Sequence, residues 1–398
     1  MVEAPPLPPL SLYVHLPWCV RKCPYCDFNS HPLGRGASLP EDRYVEALLR
    51  DLDFELALRA ETRPLLAIFF GGGTPSLFSP AAIGRILDGV AARLRLAADV
   101  EITLEANPGT ADAGHFRGYR AAGVNRLSVG VQSFDNAQLS RLGRIHGADQ
   151  ARRALPLARA AGFDNVNLDL MYALPRQTCA QALDDLRAAI QLGAEHLSWY
   201  QLSVEPNTPF AAAPPTLPDE DAAWEMLRQG EALLAANGYT RYEVSAFAQD
   251  GRAARHNLNY WRFGDYLGIG AGAHSKRSQP VPGRAARIER CSRRREPRVY
   301  IDGAGTPAAV LERRPVPPAE LAFEYALNAL RLVEGFTLVD FERATGLASS
   351  ALQALLLRAQ ARGLVEIGNQ RVRASRRGFD LLNELLQMFL PDAPPAAA

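Results

Sequence analysis

Leu12-Tyr-Val-His-Leu-Pro-Trp-Cys19-Val-Arg-Lys-Cys23-Pro-Tyr-Cys26 joins a β-prone run, Leu12–Leu16, directly to a loop with three cysteines within eight positions. Thiolates are soft ligands that select zinc, copper or iron–sulfur clusters. A structural zinc site wants four ligands in closed coordination. Here Cys179 and Cys291 stand alone, and His15 and His31 lie outside the loop at poor spacing. Three thiolates on a cubane cluster leave one iron open, and a chelating small molecule can bind there. A disulfide framework would instead spread an even set of cysteines along the chain.

The same unit recurs outward from this stretch, between residue 11 and about 275: a short β-rich run, a turn, then a helical pattern. The runs are Leu12–Leu16, Leu66–Phe70, Val100–Leu104, Arg126–Val129, Val166–Leu170 and Leu197–Leu202, with Tyr242–Ser245 as a further candidate. They read as nearly continuous apolar segments, as parallel strands covered on both faces do. Ser38 and Glu41 spell a capping box before the stripe Val45, Leu48, Leu49, Leu52 and Leu56. Gly123, Gly162, Gly193 and Gly238 each close a helix before the next strand. About six parallel β/α units predict an α/β fold, a partial TIM-type (β/α)6 barrel. In such barrels the chemistry sits on the loops after the strands. Those positions hold Cys19–Cys26, Gly71–Pro75, Glu105–Pro108, Gln132, Asp169 and the stretch after Tyr200.

The rest of the chain bounds the possibilities. Its 398 residues are 47% hydrophobic and 22% charged, an ordinary globular balance. A net charge of +1 gives no global field for nucleic acid or an anionic membrane. Only Lys22 and Lys276 are lysines among 44 basic residues, a skew that reads as composition bias. No run reaches the ~18 apolar residues of a membrane span, and Met1–Pro9 lacks the features of a signal peptide, so a cytoplasmic protein is expected. The barrel is placed at residues 1–276, an Arg- and Pro-rich connector or β-extension at 277–317, and a disordered tail at 391–398. Between them, 318–390 reads as three helices and a small hairpin, a winged-helix-like domain. Its third helix carries only Arg358 and Arg362, so a phosphate footprint is missing and packing on the barrel or a partner is expected.

Three more strings complete the constellation. Phe70-Gly71-Gly72-Gly73-Thr74-Pro75 removes side chains where a ligand could approach the backbone, and no Gly-Lys-Ser/Thr follows to make it a phosphate loop. Glu105, Gln132, Arg144 and Asp169 supply one polar residue at successive strand ends. Asp169 interrupts an apolar strand, so its carboxylate needs a partner.

The cysteine loop resembles the signature of the radical S-adenosylmethionine (SAM) superfamily. That resemblance implies a full or partial barrel, with SAM chelating the open iron of a 4Fe–4S cluster and one electron cleaving it to a 5′-deoxyadenosyl radical. Tyr13-Val-His-Leu-Pro, Gly-Gly-Gly-Thr-Pro-Ser, Glu-Ala-Asn-Pro, Gly-Val-Gln-Ser-Phe, Leu-Gly-Arg-Ile-His and Asn-Leu-Asp-Leu-Met-Tyr-Ala-Leu-Pro narrow it to the oxygen-independent coproporphyrinogen III oxidase group. By motif, Cys19, Cys23 and Cys26 hold the cluster. Tyr13, Gly72, Gly73, Thr74, Glu105, Gln132, Arg144 and Asp169 line the SAM site, and Tyr25 sits against the adenine.

One departure separates subfamilies. The oxidase carries a fourth cysteine two residues after the third, where this chain has Asp27 and then Phe28; the first strand also begins almost at once, without the oxidase's N-terminal extension. With His256-Asn-Leu-Asn-Tyr-Trp261 downstream, the chain resembles the heme-chaperone (HemW-type) subgroup. That implies heme as a third cofactor and partner, His256 as its ligand, and delivery to heme-accepting respiratory proteins at the membrane. It also implies a cytoplasmic chain that can sit peripherally at the inner membrane, with a homodimer allowed. No catalytic residue is assigned, since turnover is not expected of that subgroup; the alternative is oxidative decarboxylation of coproporphyrinogen III. Arginines at 284–298 could pair propionates or lipid headgroups, although such a run is more often a solvated face.

Overall fold

The computed structural model describes residues 6–34, 36–110, 112–281 and 284–391; the expected tail falls, apart from Pro391, outside them. Six parallel strands form the centre of a sheet: β1 (Leu10–Leu16), β2 (Leu65–Gly72), β3 (Leu96–Ala106), β4 (Arg126–Gln132), β5 (Val166–Tyr172) and β6 (His196–Gln201). Each is paired with the next in sequence order, as right-handed β/α crossovers require. The outer helices are α1 (Glu41–Leu58), α2 (Pro80–Ala91), α3 (Ala113–Ala121), α4 (Ala148–Ala160), α5 (Cys179–Leu192) and α6 (Glu220–Ala236).

The barrel stays open because its flanks differ. Beyond β6, Ala246–Ala248 (β7) and Thr240–Arg241 add antiparallel, with Tyr242–Ser245 in the connection rather than in a strand of its own. Beside β1, Asp265–Ile269 (β8) pairs parallel, and His274–Val281 (β9), Arg284–Arg293 (β10) and Val310–Pro315 (β11) extend the sheet antiparallel to twelve strands. The Arg-rich segment is therefore largely strand. Arg293 is buried, bonded to Asp51 and Glu55 of α1, and Arg290 reaches Tyr266 and Glu324, so these two guanidiniums are committed to internal pairs.

Two local readings are corrected. The capping box does not form: α1 begins at Glu41 after Pro40, and the Glu41 carboxylate instead accepts from the backbone N–H and hydroxyl of Ser79. Nor are both strand faces apolar. Alternate residues pointing to the helices, such as Leu12, Ile68, Leu104, Val129, Leu168 and Leu197, form the main core. The other register carries Glu101, Thr103, Arg126, Ser128, Asn167 and His196, all buried inside the curve. Three of them satisfy one another: Asn167 Nδ2 donates to Ser128 Oγ at 2.8 Å, and Asn167 Oδ1 pairs with His196 Nδ1 at 2.7 Å, whereas Thr103 Oγ1 and Arg126 Nε have no partner among the described residues.

A short helix, α7 (Arg255–Trp261), closes the N-terminal ends of the strands, with Asn259 bonded to Ser11 and His256 to Glu101. The C-terminal part builds its own core from Tyr325, Phe336, Phe341, Leu352, Leu356 and Val372. It contains helices Leu321–Ala329, Leu338–Thr345 and Ser350–Ala361 and a three-stranded antiparallel sheet, and Phe263 links its core to the barrel. No helix among the described residues is long and apolar enough to cross a membrane.

Candidate functional site

The loop after β1 is folded onto the barrel top by backbone bonds. Residues Trp18–Cys19 pair parallel with His31–Pro32, His31 N–H donates to Pro17 O at 2.7 Å, and Cys26 N–H to Cys23 O at 3.1 Å. Asn29 anchors the far end, donating to Ala271 O at 2.8 Å. All five cysteines are free thiols. Cys19, Cys23 and Cys26 line one wall of a cavity of about 430 Å³ at the C-terminal ends of the strands. Burial pushes the Cys19 thiol up to about 11, with Cys26 adding to it. Among the described residues no group of three or more His, Cys, Asp or Glu gathers tightly enough for a single metal ion.

The opposite wall is the turn after β2. Gly73 N–H donates to Leu16 O at 2.8 Å and Thr74 N–H to Trp18 O at 2.7 Å, which draws the turn against the cysteine loop. A Cβ on Gly73 would lie 2.4 Å from the Trp18 carbonyl oxygen; Gly72, with φ +119°, would meet the His15 ring at 2.7 Å. Only glycine fits such positions.

The floor comes from β3 to β6. Glu105 accepts from Gly72 N–H at 3.2 Å. Burial, then the neighbouring Asp169, pushes its carboxyl up to about 8. Among the described residues Asp169 has no cation pair; it accepts from Ser128 Oγ at 3.0 Å and Asn167 Nδ2 at 2.8 Å, and burial raises its pKa as well. Gln132 sits at φ 68°, a left-handed conformation rare for a side-chain-bearing residue, and accepts from Tyr200 OH at 2.8 Å. Arg144 bridges floor and wall, donating to Gly130 O at 2.7 Å and reaching Cys23 Sγ at 3.7 Å.

The structure thus gathers Tyr25, Gly72, Gly73, Thr74, Glu105, Gln132, Arg144 and Asp169 with the three cysteines around one cavity. Tyr13 lies beneath it, stacked on Phe69 and bonded to His15 Nδ1 at 2.8 Å. His256 is at the other end of the barrel. Its Nδ1 is 2.8 Å from Glu101, which precedes Glu105 by four residues of strand, about 13 Å. Its ring lies 4.2 Å from that of Phe69 and its side chain is 8% exposed; Nδ1 is committed to Glu101, and among the described residues Nε2 has no hydrogen-bond partner. Sequence reasoning did not single out Ser128, Ser198, Asn107 or Ile145, which also line the cavity; the alternation of polar residues along β4 and β6 was the available signal.

The donor set fits a 4Fe–4S cluster with SAM. Three free thiols share a wall, backbone without side chains faces them, and two buried carboxylates, Asp169 raising the pKa of Glu105, favour a cationic ligand. Comparison with known proteins agrees. Residues 13–189 match the radical SAM superfamily model and residues 316–381 the HemN C-terminal domain model. The chain is 50% identical to heme chaperone HemW of Escherichia coli, across 97% of this chain and 99% of that one. It belongs to the HemW family. The HemW of Haemophilus influenzae is 46% identical, across 98% of this chain and 100% of that one. The mouse mitochondrial radical S-adenosyl methionine domain-containing protein 1 is 38% identical, across 97% of this chain and 88% of that one. In fold, this HemW-family chain matches the E. coli coproporphyrinogen III oxidase HemN with a TM-score of 0.78, at 23% identity, over 96% of this chain and 90% of that one. Membership of the radical SAM superfamily implies a 4Fe–4S cluster and SAM.

Proposed function

We propose that this chain binds heme and delivers it to heme-accepting respiratory proteins, working in the cytoplasm and peripherally at the inner membrane. The supporting observation is the end-to-end 50% identity with a protein named heme chaperone, against 23% with the oxidase. Cys19, Cys23 and Cys26 would hold the cluster; Tyr25, Gly72, Gly73, Thr74, Glu105, Gln132, Arg144 and Asp169 would line the SAM site, with Tyr13 supporting them from beneath. When bound, the pair supplies one-electron reductive cleavage of the sulfonium. Glu105 and Asp169 give a cationic ligand an anionic floor, and Arg144 ties that floor to the cluster loop. If His256 ligates a porphyrin iron, it would do so through Nε2, since Glu101 holds Nδ1.

The test uses the reconstituted chain under anaerobic conditions. Stoichiometric heme binding and transfer to a heme-free acceptor, with SAM present and no porphyrinogen turnover, is the expected result. The shared fold keeps one rival: conversion of coproporphyrinogen to protoporphyrinogen without heme transfer would replace the chaperone reading by the oxidase one.

A further inference from the structure

The cavity is polar at its floor, but its mouth is not. Val20, Phe28 and Ile145 line it and are 47%, 64% and 40% exposed. Phe28 is the most exposed large apolar side chain among the described residues. Single exposed apolar residues are ordinary, whereas several at one opening mark a binding surface. Leu7, Val333 and Leu390, also exposed, each edge a different cavity alone.

The rim is held in place. Arg21 Nε donates to Gly143 O at 3.1 Å, and the same guanidinium reaches Arg144 O, tying the loop that carries Val20 to the turn that carries Ile145. Lys22 Nζ donates to Phe28 O at 2.9 Å. Arg21 and Lys22 themselves line the opening, and the Arg295 carbonyl accepts from Asn29 on the same loop. The cavity's carboxylates, Glu105 and Asp169, come from the barrel strands, while exposed Asp27 lies on the loop outside the lining. The mouth is therefore an apolar ledge flanked by cations.

We infer that this ledge seats the heme macrocycle, with Phe28, Val20 and Ile145 under its face and its propionates turned to Arg21 and Lys22. A porphyrin is a wide, flat, apolar surface with two carboxylates on one edge, and the ledge is complementary to it in polarity and charge. Cluster and SAM account for the cavity beneath, so the ledge calls for a separate occupant. A macrocycle lying there keeps its outer face open to an acceptor and covers the way out for SAM. The inference rests on the heme-binding reading.

The test titrates heme into the cluster-loaded full chain by its Soret band, for wild type, Phe28→Glu, Val20→Glu/Ile145→Glu and the control Phe28→Leu. Each glutamate variant should weaken heme binding at least about tenfold, with iron and sulfide per chain at wild-type levels, while Phe28→Leu stays within a few-fold. In wild type, bound heme should slow SAM dissociation measurably, a readout that needs no variant. Wild-type heme binding that the glutamate variants leave intact, or SAM release unchanged by heme, overturns the ledge and leaves the chaperone reading standing. A wild type that binds no heme overturns both. A heme-free dimer abolished by Phe28→Glu, with heme affinity unchanged, would assign the ledge to a second copy of the chain instead.

Discussion

Replacing Gly73 with alanine places a methyl carbon 2.4 Å from the Trp18 carbonyl oxygen, 2.7 Å from its carbon and 2.8 Å from the Pro17 carbonyl carbon. These are backbone atoms and have no rotamer to change, so the turn and the cysteine loop must separate. The separation falls on two hydrogen bonds, Gly73 N–H to Leu16 O and Thr74 N–H to Trp18 O. Losing both costs about 1 kcal/mol each, and forced overpacking adds about 1–3 kcal/mol. The expected destabilisation is about 3–5 kcal/mol, centred on the residue before the first cluster thiol. Urea unfolding followed by tryptophan fluorescence measures it, and iron and sulfide per chain after anaerobic loading report the cluster. Gly84→Ala is the control, since its Cβ would meet nothing nearer than Ala122 Cβ at 3.7 Å. As a helical glycine it should be neutral or stabilised by up to about 1 kcal/mol. A Gly73→Ala protein within about 0.5 kcal/mol of wild type and fully loaded with cluster would refute the close-approach argument.

Glu105 predicts a pH dependence. Its carboxyl ionises near 8 in the folded chain against 4.5 ordinarily, so the ligand-free protein carries an extra proton between those values. Stability from this group is complete below about 4.5 and is lost as pH rises through about 8. Affinity for cationic SAM should rise up to about tenfold per unit between pH 6 and 8 and then level off, and Glu105→Gln should flatten the profile in calorimetry. His256→Ala should cost about 1–3 kcal/mol by stripping a donor from buried Glu101, and Glu101→Gln/His256→Ala should recover part of it in thermal unfolding. The Soret position of the heme complex should not move in His256→Ala; a shift would mean that the imidazole ligates the iron and would move the macrocycle from the ledge to the α7 end of the barrel. Cys23→Ala should abolish cluster loading while urea stability of the cluster-free chain stays within about 1 kcal/mol of wild type, because the thiol lies on a half-buried loop.

Much of the barrel was legible because its signals are local. The recurring β-run, turn and glycine-terminated helix specify a crossover unit whatever surrounds it, and the capping box failed because Pro40 placed Glu41 within reach of Ser79, 38 residues away. Of the cavity-lining residues expected from motifs, those directly after strands could be placed by barrel logic alone. Tyr200 and Ser128 had only the weaker signal of polar alternation along β4 and β6, which tells two strand faces apart but not which residues share a cavity.

By itself the sequence determined the strand-to-loop placement of Cys19, Cys23 and Cys26, the glycine turn, and the order of the parallel strands, all properties of neighbouring residues. Tertiary structure alone decided that Glu105 and Asp169 share one enclosure, that His256 closes the end of the barrel remote from the thiols, and that Phe28 and Ile145 meet at one opening. Those relations join residues tens to more than a hundred positions apart. They arise from the curvature of the sheet and the packing of α7 beneath it, which no local spacing encodes.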